Sequence, residues 1–207
     1  YCFRGCLKNM LEDYRGAIID FNKAIDLEPN FAKAYFIRGY SKSMLQNHKE
    51  SIADFTKTIE LEPGFAGAYI YRGKTRTDLQ DHRAALVDYT RAIELNPNNF
   101  HSYRFRGCLK IILEDYKGAV IDFNTAIKLK PDYASAYYNR GLAKVLFQDY
   151  RGAIVDYNKA IELEPNYVEA YYNSGLVKSL LQDNREVVAN NTKAIELNPN
   201  DDVSYCF

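Results

Sequence analysis

Six prolines stand at Pro29, Pro63, Pro97, Pro131, Pro165 and Pro199, each 34 residues after the last, and the 207-residue chain has no others. A single globular core places no such demand on spacing, so the period means one structural unit copied along the chain. Each copy is too short to bury its apolar face alone and must do so against its neighbours. Such an array works through long surfaces shared by several units rather than through one enclosed pocket.

Residues 32–65 show what one unit is. Ala34, Tyr35, Ile37, Tyr40, Met44 and Leu45 fall at helical spacings and predict a first helix, A. Asn47 then reads as an N-cap, and Asp13, Asp81, Asp115, Asp149 and Asp183 hold the same slot elsewhere. Ile52, Phe55, Ile59 and Leu61 predict a second helix, B, which the residue before Pro63 ends by its bias away from the α region. The repeats predicted are 1–31, 32–65, 66–99, 100–133, 134–167 and 168–201 in a single domain, with 202–207 starting a further helix.

Glycine recurs mid-helix at Gly5, Gly39, Gly73, Gly107, Gly141 and Gly175. Each costs about 1 kcal/mol against alanine, so six copies require a packing reason. A mostly small position in helix B (Ala17, Ser51, Ala85, Ala119, Ala153, Val187) faces it, and an aromatic (Phe21, Phe55, Tyr89, Phe123, Tyr157) is expected to fill the wedge toward the next repeat. The periodic set Tyr35, Gly39, Ser51, Phe55, Thr58 and Pro63, with its relatives along the whole chain, resembles the tetratricopeptide repeat family. The resemblance implies an all-α fold, an α-solenoid of antiparallel helix pairs coiled as a right-handed superhelix with the A helices on its concave face. Two departures stand out: tyrosine replaces the family's usual tryptophan three residues into each A helix, and arginine replaces its leucine before the glycine.

Those arginines (Arg4, Arg38, Arg72, Arg106, Arg140) are matched by Asp20, Asp54, Asp88, Asp122 and Asp156, and both are lost together in the sixth repeat as Ser174 and Asn190. Joint loss predicts that the two side chains meet, since a part-buried arginine without its carboxylate is costly. The sixth repeat also replaces the wedge aromatic by Asn191 and enlarges the small site to Val187, so its helix B is expected to pack less tightly. A second period of 102 residues relates 1–31 to 103–133, and Tyr205-Cys206-Phe207 repeats Tyr1-Cys2-Phe3. The array is therefore expected to continue past this segment or to stack end to end with copies of itself.

Charge narrows the partners. The 27 basic and 27 acidic residues cancel, which argues against nucleic acid, and no apolar run reaches the ~20 residues of a membrane span. No catalytic constellation, cofactor motif or metal-ligand set appears: His48 and His82 share one repeat position over the A–B turn, and Cys2 and Cys6 are two thiols without further ligands. Cysteine usage makes a reduced, cytoplasmic setting the default, whereas a fibre would place the chain outside the cell. Asn190-Asn191-Thr192 is a glycosylation sequon.

The family resemblance places Phe36, Tyr40, Ile70, Lys74, Arg104, Cys108, Tyr138, Leu142, Tyr172 and Leu176 on the concave A-helix face, an aromatic and aliphatic strip with a basic middle. The expected function is a non-enzymatic scaffold binding protein or peptide segments there, through apolar anchors and an acidic residue. The lysine-and-asparagine clamp of the family's chaperone-binding members does not fit, because Phe36, Ile70 and Tyr138 hold its lysine positions. The alternative is a structural solenoid that associates with itself end to end.

Overall fold

The computed structural model describes residues 1–181 and 184–198, with side chains in the last helix from residue 187 onward. Asp183, Pro199 and the tail 202–207 with its Tyr205-Cys206-Phe207 lie outside the described residues. The described residues form twelve α-helices and no strand. They group into two compact units, residues 1–98 and residues 99 onward.

The first unit holds α1 (Cys2–Met10), α2 (Tyr14–Leu27), α3 (Ala32–Met44), α4 (His48–Leu61), α5 (Ala66–Asp78) and α6 (His82–Leu95). The second holds α7 (Phe100–Ile112), α8 (Tyr116–Leu129), α9 (Ala134–Leu146), α10 (Tyr150–Leu163), α11 (Val168–Leu180) and α12 (Asn184–Leu197). Odd-numbered helices are the A helices and even-numbered ones the B helices. In each unit every A helix packs on its own B helix, which in turn packs on the next A helix of that unit.

The glycines are where the helices close. A Cβ added at Gly39 would lie 3.0 Å from the Phe55 ring, at Gly107 2.7 Å from Phe123, and at Gly141 2.7 Å from Tyr157. The B-helix aromatic thus seats directly on the A-helix glycine of its own repeat, as well as filling the wedge. These rings are fully enclosed: Phe21, Phe55 and Phe123 are 0% exposed.

Capping of the B helices depends on what stands three residues after the cap. Asp13, Asp115 and Asp149 accept from the N–H of Gly16, Gly118 and Gly152 at 2.9, 2.9 and 3.0 Å. At each of these glycines an added Cβ would collide with the capping carboxylate. Where Ala84 takes that place, the Asp81 bond lengthens to 3.2 Å. Where Glu50 takes it, Asn47 makes no side-chain capping bond, so the cap read at Asn47 holds by position only.

Arginine and aspartate do meet. The Asp20, Asp54, Asp88, Asp122 and Asp156 carboxylates are 0–4% exposed and accept from Arg4, Arg38, Arg72, Arg106 and Arg140 at 2.5–2.7 Å. Each carboxylate also takes a second cation one helical turn further along the A helix: Lys8, Lys42, Arg76, Lys110 or Lys144, at 2.7–3.0 Å. Arg4 and Lys8 together hold the Asp20 carboxyl well below the usual carboxylate range, against the upward push of desolvation.

The same arginines tie neighbouring repeats. Arg38 donates its remaining nitrogen to Asn22 at 2.8 Å, Arg72 to Thr56 at 3.1 Å, and Arg140 to Asn124 at 2.6 Å. Beneath them lie the tyrosines that replace tryptophan, with Arg38 5.3 Å from the Tyr35 ring centroid and Arg140 5.4 Å from that of Tyr137. The Tyr35, Tyr69 and Tyr137 hydroxyls donate in turn to the carbonyls of Pro29, Pro63 and Pro131. Both family departures therefore belong to one polar column that locks helix A to helix B and to the preceding turn.

Candidate functional site

On the A-helix face of the first unit, residues from α1, α3 and α5 line an open cavity of about 290 Å³. Cys6 and Asn9 line one side, Phe36, Ile37 and Tyr40 the floor, and Tyr71 the other side. The rings brace one another: Tyr71 lies 5.6 Å from Phe36 and 5.5 Å from Tyr40, edge-on to each. Phe36 packs further on Phe55 and Phe65. Burial raises the Tyr71 phenol above its ordinary pKa, so the wall it forms is neutral. Such a cavity takes an apolar side chain, with the Asn9 amide as a polar contact at its rim.

Two other predicted residues of this unit fall outside the cavity. Lys74 is exposed on α5. Ile70 is a correction, because it is 8% exposed and belongs to the core rather than to a binding surface. Tyr71, the residue after it, supplies the aromatic wall instead.

The second unit has a different surface. Arg104 stacks 4.4 Å from the Phe105 ring centroid and 5.9 Å from that of Tyr133. Lys130 stands 5.1 Å from the Phe100 ring and 5.7 Å from Tyr133. His101 Nδ1 lies 3.2 Å from the Tyr133 hydroxyl. Burial lowers the His101 pKa, and Arg104 and Lys130 lower it further. Burial raises the Cys108 thiol, with Arg104 pulling the other way, so the cysteine is protonated and packs on the core of Ala119, Phe123 and Ala143. Among the described residues neither Arg104 nor Lys130 meets a carboxylate, unlike the column arginines. The cluster is a cationic patch on an aromatic bed, suited to a carboxylate.

Further along this unit, Tyr138 packs at 5.8 Å on Tyr157 and 4.9 Å on Tyr167 and accepts from the Asn173 amide at 2.9 Å. Burial raises the Tyr138 phenol and pushes Tyr167 up to about 12. Leu142 packs against the core of Ala153, Tyr157 and Val177. Tyr172 and Leu176 line a smaller space of about 160 Å³ with Gly175, Ser179, Val187 and Asn191. The predicted residues are thus shared out: Phe36 and Tyr40 in one cavity, Arg104 and Cys108 in the cationic cluster, Tyr138 and Leu142 in packing between repeats, Tyr172 and Leu176 beside Asn191. Tyr71, Tyr133, Lys130 and His101 join these surfaces without having been predicted; of the four, only His101, three residues before Arg104, lies close enough to it in sequence to have signalled the cluster.

Among the described residues no group of three or more His, Cys, Asp or Glu is placed to hold a metal, and no helix is long and apolar enough to cross a membrane.

Family models described as tetratricopeptide repeat match residues 1–31, 32–65 and 66–99, and models described as TPR repeat match 110–146 and 148–181. No curated protein matches the chain in sequence. Among solved structures, PilF of Pseudomonas aeruginosa superposes with a TM-score of 0.85 at 13% identity, covering 99% of this chain and 93% of its own. MamA from Desulfovibrio magneticus RS-1 gives 0.75 at 22% identity, over 83% and 97%. YrrB, described as a TPR protein with an unusual peptide-binding site, gives 0.72 at 21% identity, over 89% and 95%.

Proposed function

Because the chain belongs to the tetratricopeptide repeat family, we propose that it is a non-enzymatic scaffold whose A-helix face binds segments of other proteins. Arrays of this family serve protein–protein interaction in general. The observation that carries the narrower reading is the cavity of the first unit, whose aromatic walls and size of about 290 Å³ suit one apolar anchor of a bound segment. The cationic cluster at Arg104, taken by itself, suits an acidic residue of such a segment. The peptide-binding site described for YrrB supports the reading by likeness of fold.

Peptides selected by phage display against the full chain, then measured by fluorescence anisotropy, test it. The selected set is expected to share a bulky apolar residue. Tyr40→Ala weakens binding by about tenfold or more, as expected for an anchor contact. Arg104→Gln abolishes the preference for glutamate over glutamine in the ligand. A selection that enriches no peptide, or affinities that neither substitution changes, overturns the reading.

A further inference from the structure

Every A helix ends in at least one apolar side chain that the fold leaves in solvent. In the second unit these are Ile112 and Leu113 at the end of α7, Leu146 and Phe147 at the end of α9, and Leu180 and Leu181 at the end of α11. Their exposures are 52 and 40%, 48 and 36%, and 57 and 41%. The first unit shows the same feature independently at Met10, Leu11, Met44 and Leu79, exposed by 79, 80, 46 and 44%. Single exposed leucines are ordinary, but a pair recurring at one place in successive repeats is not.

The backbone fixes where these side chains go. Leu113 and Phe147 cap their helices, and the next residues, Glu114 and Gln148, take positive φ of 61 and 68°. Asp115 N–H then closes back on the Lys110 carbonyl at 2.8 Å, and Asp149 on Lys144 at 2.9 Å. The turn is tight and hydrogen-bonded, so the apolar pair is presented on a rigid support. Within this unit α7, α9 and α11 succeed one another through the B helices packed between them, which brings their C-terminal turns to one edge.

We propose that this edge, from Ile112 to Leu181, is a dimerisation surface that packs two-fold against the same edge of a second copy of the chain. Area supports that occupant. At the exposures above, the six side chains present on the order of 500 Å² of apolar surface, within the range of the largest patches on monomers, which are often functional. Homodimer interfaces are about 65% apolar, so such a core with its polar rim corresponds to roughly 800 Å² per partner, the usual size of a stable interface. Period supports it as well. The exposed pairs recur at the pitch of the array itself, and a second copy running the other way presents its own pairs at that same pitch. A two-fold contact also closes on itself at two chains.

The surface is separate from the proposed peptide face, and the experiment keeps the two readings apart. Sedimentation equilibrium of the full chain from about 1 to about 500 µM, the range in which an interface of this size without exceptional anchors is populated, is expected to show a monomer–dimer equilibrium. Leu146→Glu with Leu180→Glu places two charges in the apolar core and is expected to raise the dissociation constant roughly 100-fold or more. Both sites are about half exposed, so helical circular dichroism is expected to stay unchanged. The same variant retains binding to any peptide selected on the A-helix face. A chain that stays monomeric throughout, or a dimer that the double variant leaves intact, overturns the proposal. Growth beyond two chains that ignores these substitutions also overturns it and points instead to end-to-end stacking.

Discussion

The hairpins α9–α10 and α11–α12 share a length, a family and a unit, yet differ at their centre. In the first, Arg140 and Lys144 clamp a buried Asp156 at 2.5 and 2.8 Å, and Tyr157 seats on Gly141. In the second, Ser174 and Asn190 replace the arginine and the aspartate, joined by one bond of 3.0 Å, and Asn191 stands against Gly175. The arginine–aspartate pair has become a neutral pair, with the second cation kept as the buried Lys178, and a ring has become an amide beside a space of about 160 Å³. The fold survives both changes. The column is therefore a means of fastening the A helix to the B helix of its own repeat, and the proline period and helical pattern persist without it. The Asn190 amide of the sequon is already engaged with Ser174, so this site is built for packing.

The sharpest way to break the comparison is to remove the carboxylate. Asp156→Ala leaves Arg140 and Lys144, only 18 and 19% exposed, without their acceptor. Breaking one partner of a buried pair costs about 3–5 kcal/mol, whereas Asn190→Ala loses one neutral hydrogen bond, about 1 kcal/mol. Urea unfolding of the full chain measures the totals, and amide exchange in α10 and α12 assigns them to a hairpin. The double change Arg140→Ser with Asp156→Asn copies the sixth repeat and is expected to recover about half of the loss. Equal costs for Asp156→Ala and Asn190→Ala would reduce the column to a row of solvated charges.

The second test runs the other way. Asn191→Phe restores the ring that the other repeats carry, with Gly175 already in place to receive it and about 160 Å³ of space beside it. Filling that space is expected to stabilise the last hairpin by about 1–2 kcal/mol. Amides of α12 are expected to exchange faster than those of α10 in the unchanged chain and to slow toward them in the variant. A variant that is destabilised instead would show that the hairpin has closed around the amide.

Much of this was legible because period is a strong signal. The prolines bound the helix pairs, the mid-helix glycines mark where B-helix rings must land, and the joint loss of arginine and aspartate reveals that they touch. The second cation was also in plain view, a basic residue four after each arginine, but without a covarying loss to expose it: Lys178 persists where Asn190 replaces the aspartate. The candidate site was less legible for a physical reason. One face of an A helix both packs on its neighbours and faces outward, and spacing identifies the face but not the depth. Ile70 is buried while Lys74, one turn on, is exposed. Lys130 and Tyr133 reach Arg104 from the turn after α8, and no periodicity within α7 can announce them.

The turn between α9 and α10 carries the smallest effect and the one least visible in sequence. Gln148 has a φ of 68°, and Glu12, Gln46, Gln80 and Glu114 take 60–62° at the same place in their repeats. A left-handed backbone costs a residue with a Cβ about 1–2 kcal/mol and favours glycine, yet no repeat has glycine there. Gln148→Gly removes that strain but adds about 0.5–1 kcal/mol of chain entropy to the unfolded state, so the net gain is below about 1 kcal/mol. It is expected to raise the thermal midpoint by about 1–3 °C. Gln148→Ala keeps the Cβ and is expected to leave the midpoint nearly unchanged, which separates backbone strain from any contribution of the glutamine side chain. A gain from alanine equal to that from glycine would mean that the side chain, and not the left-handed turn, is the burden at this position.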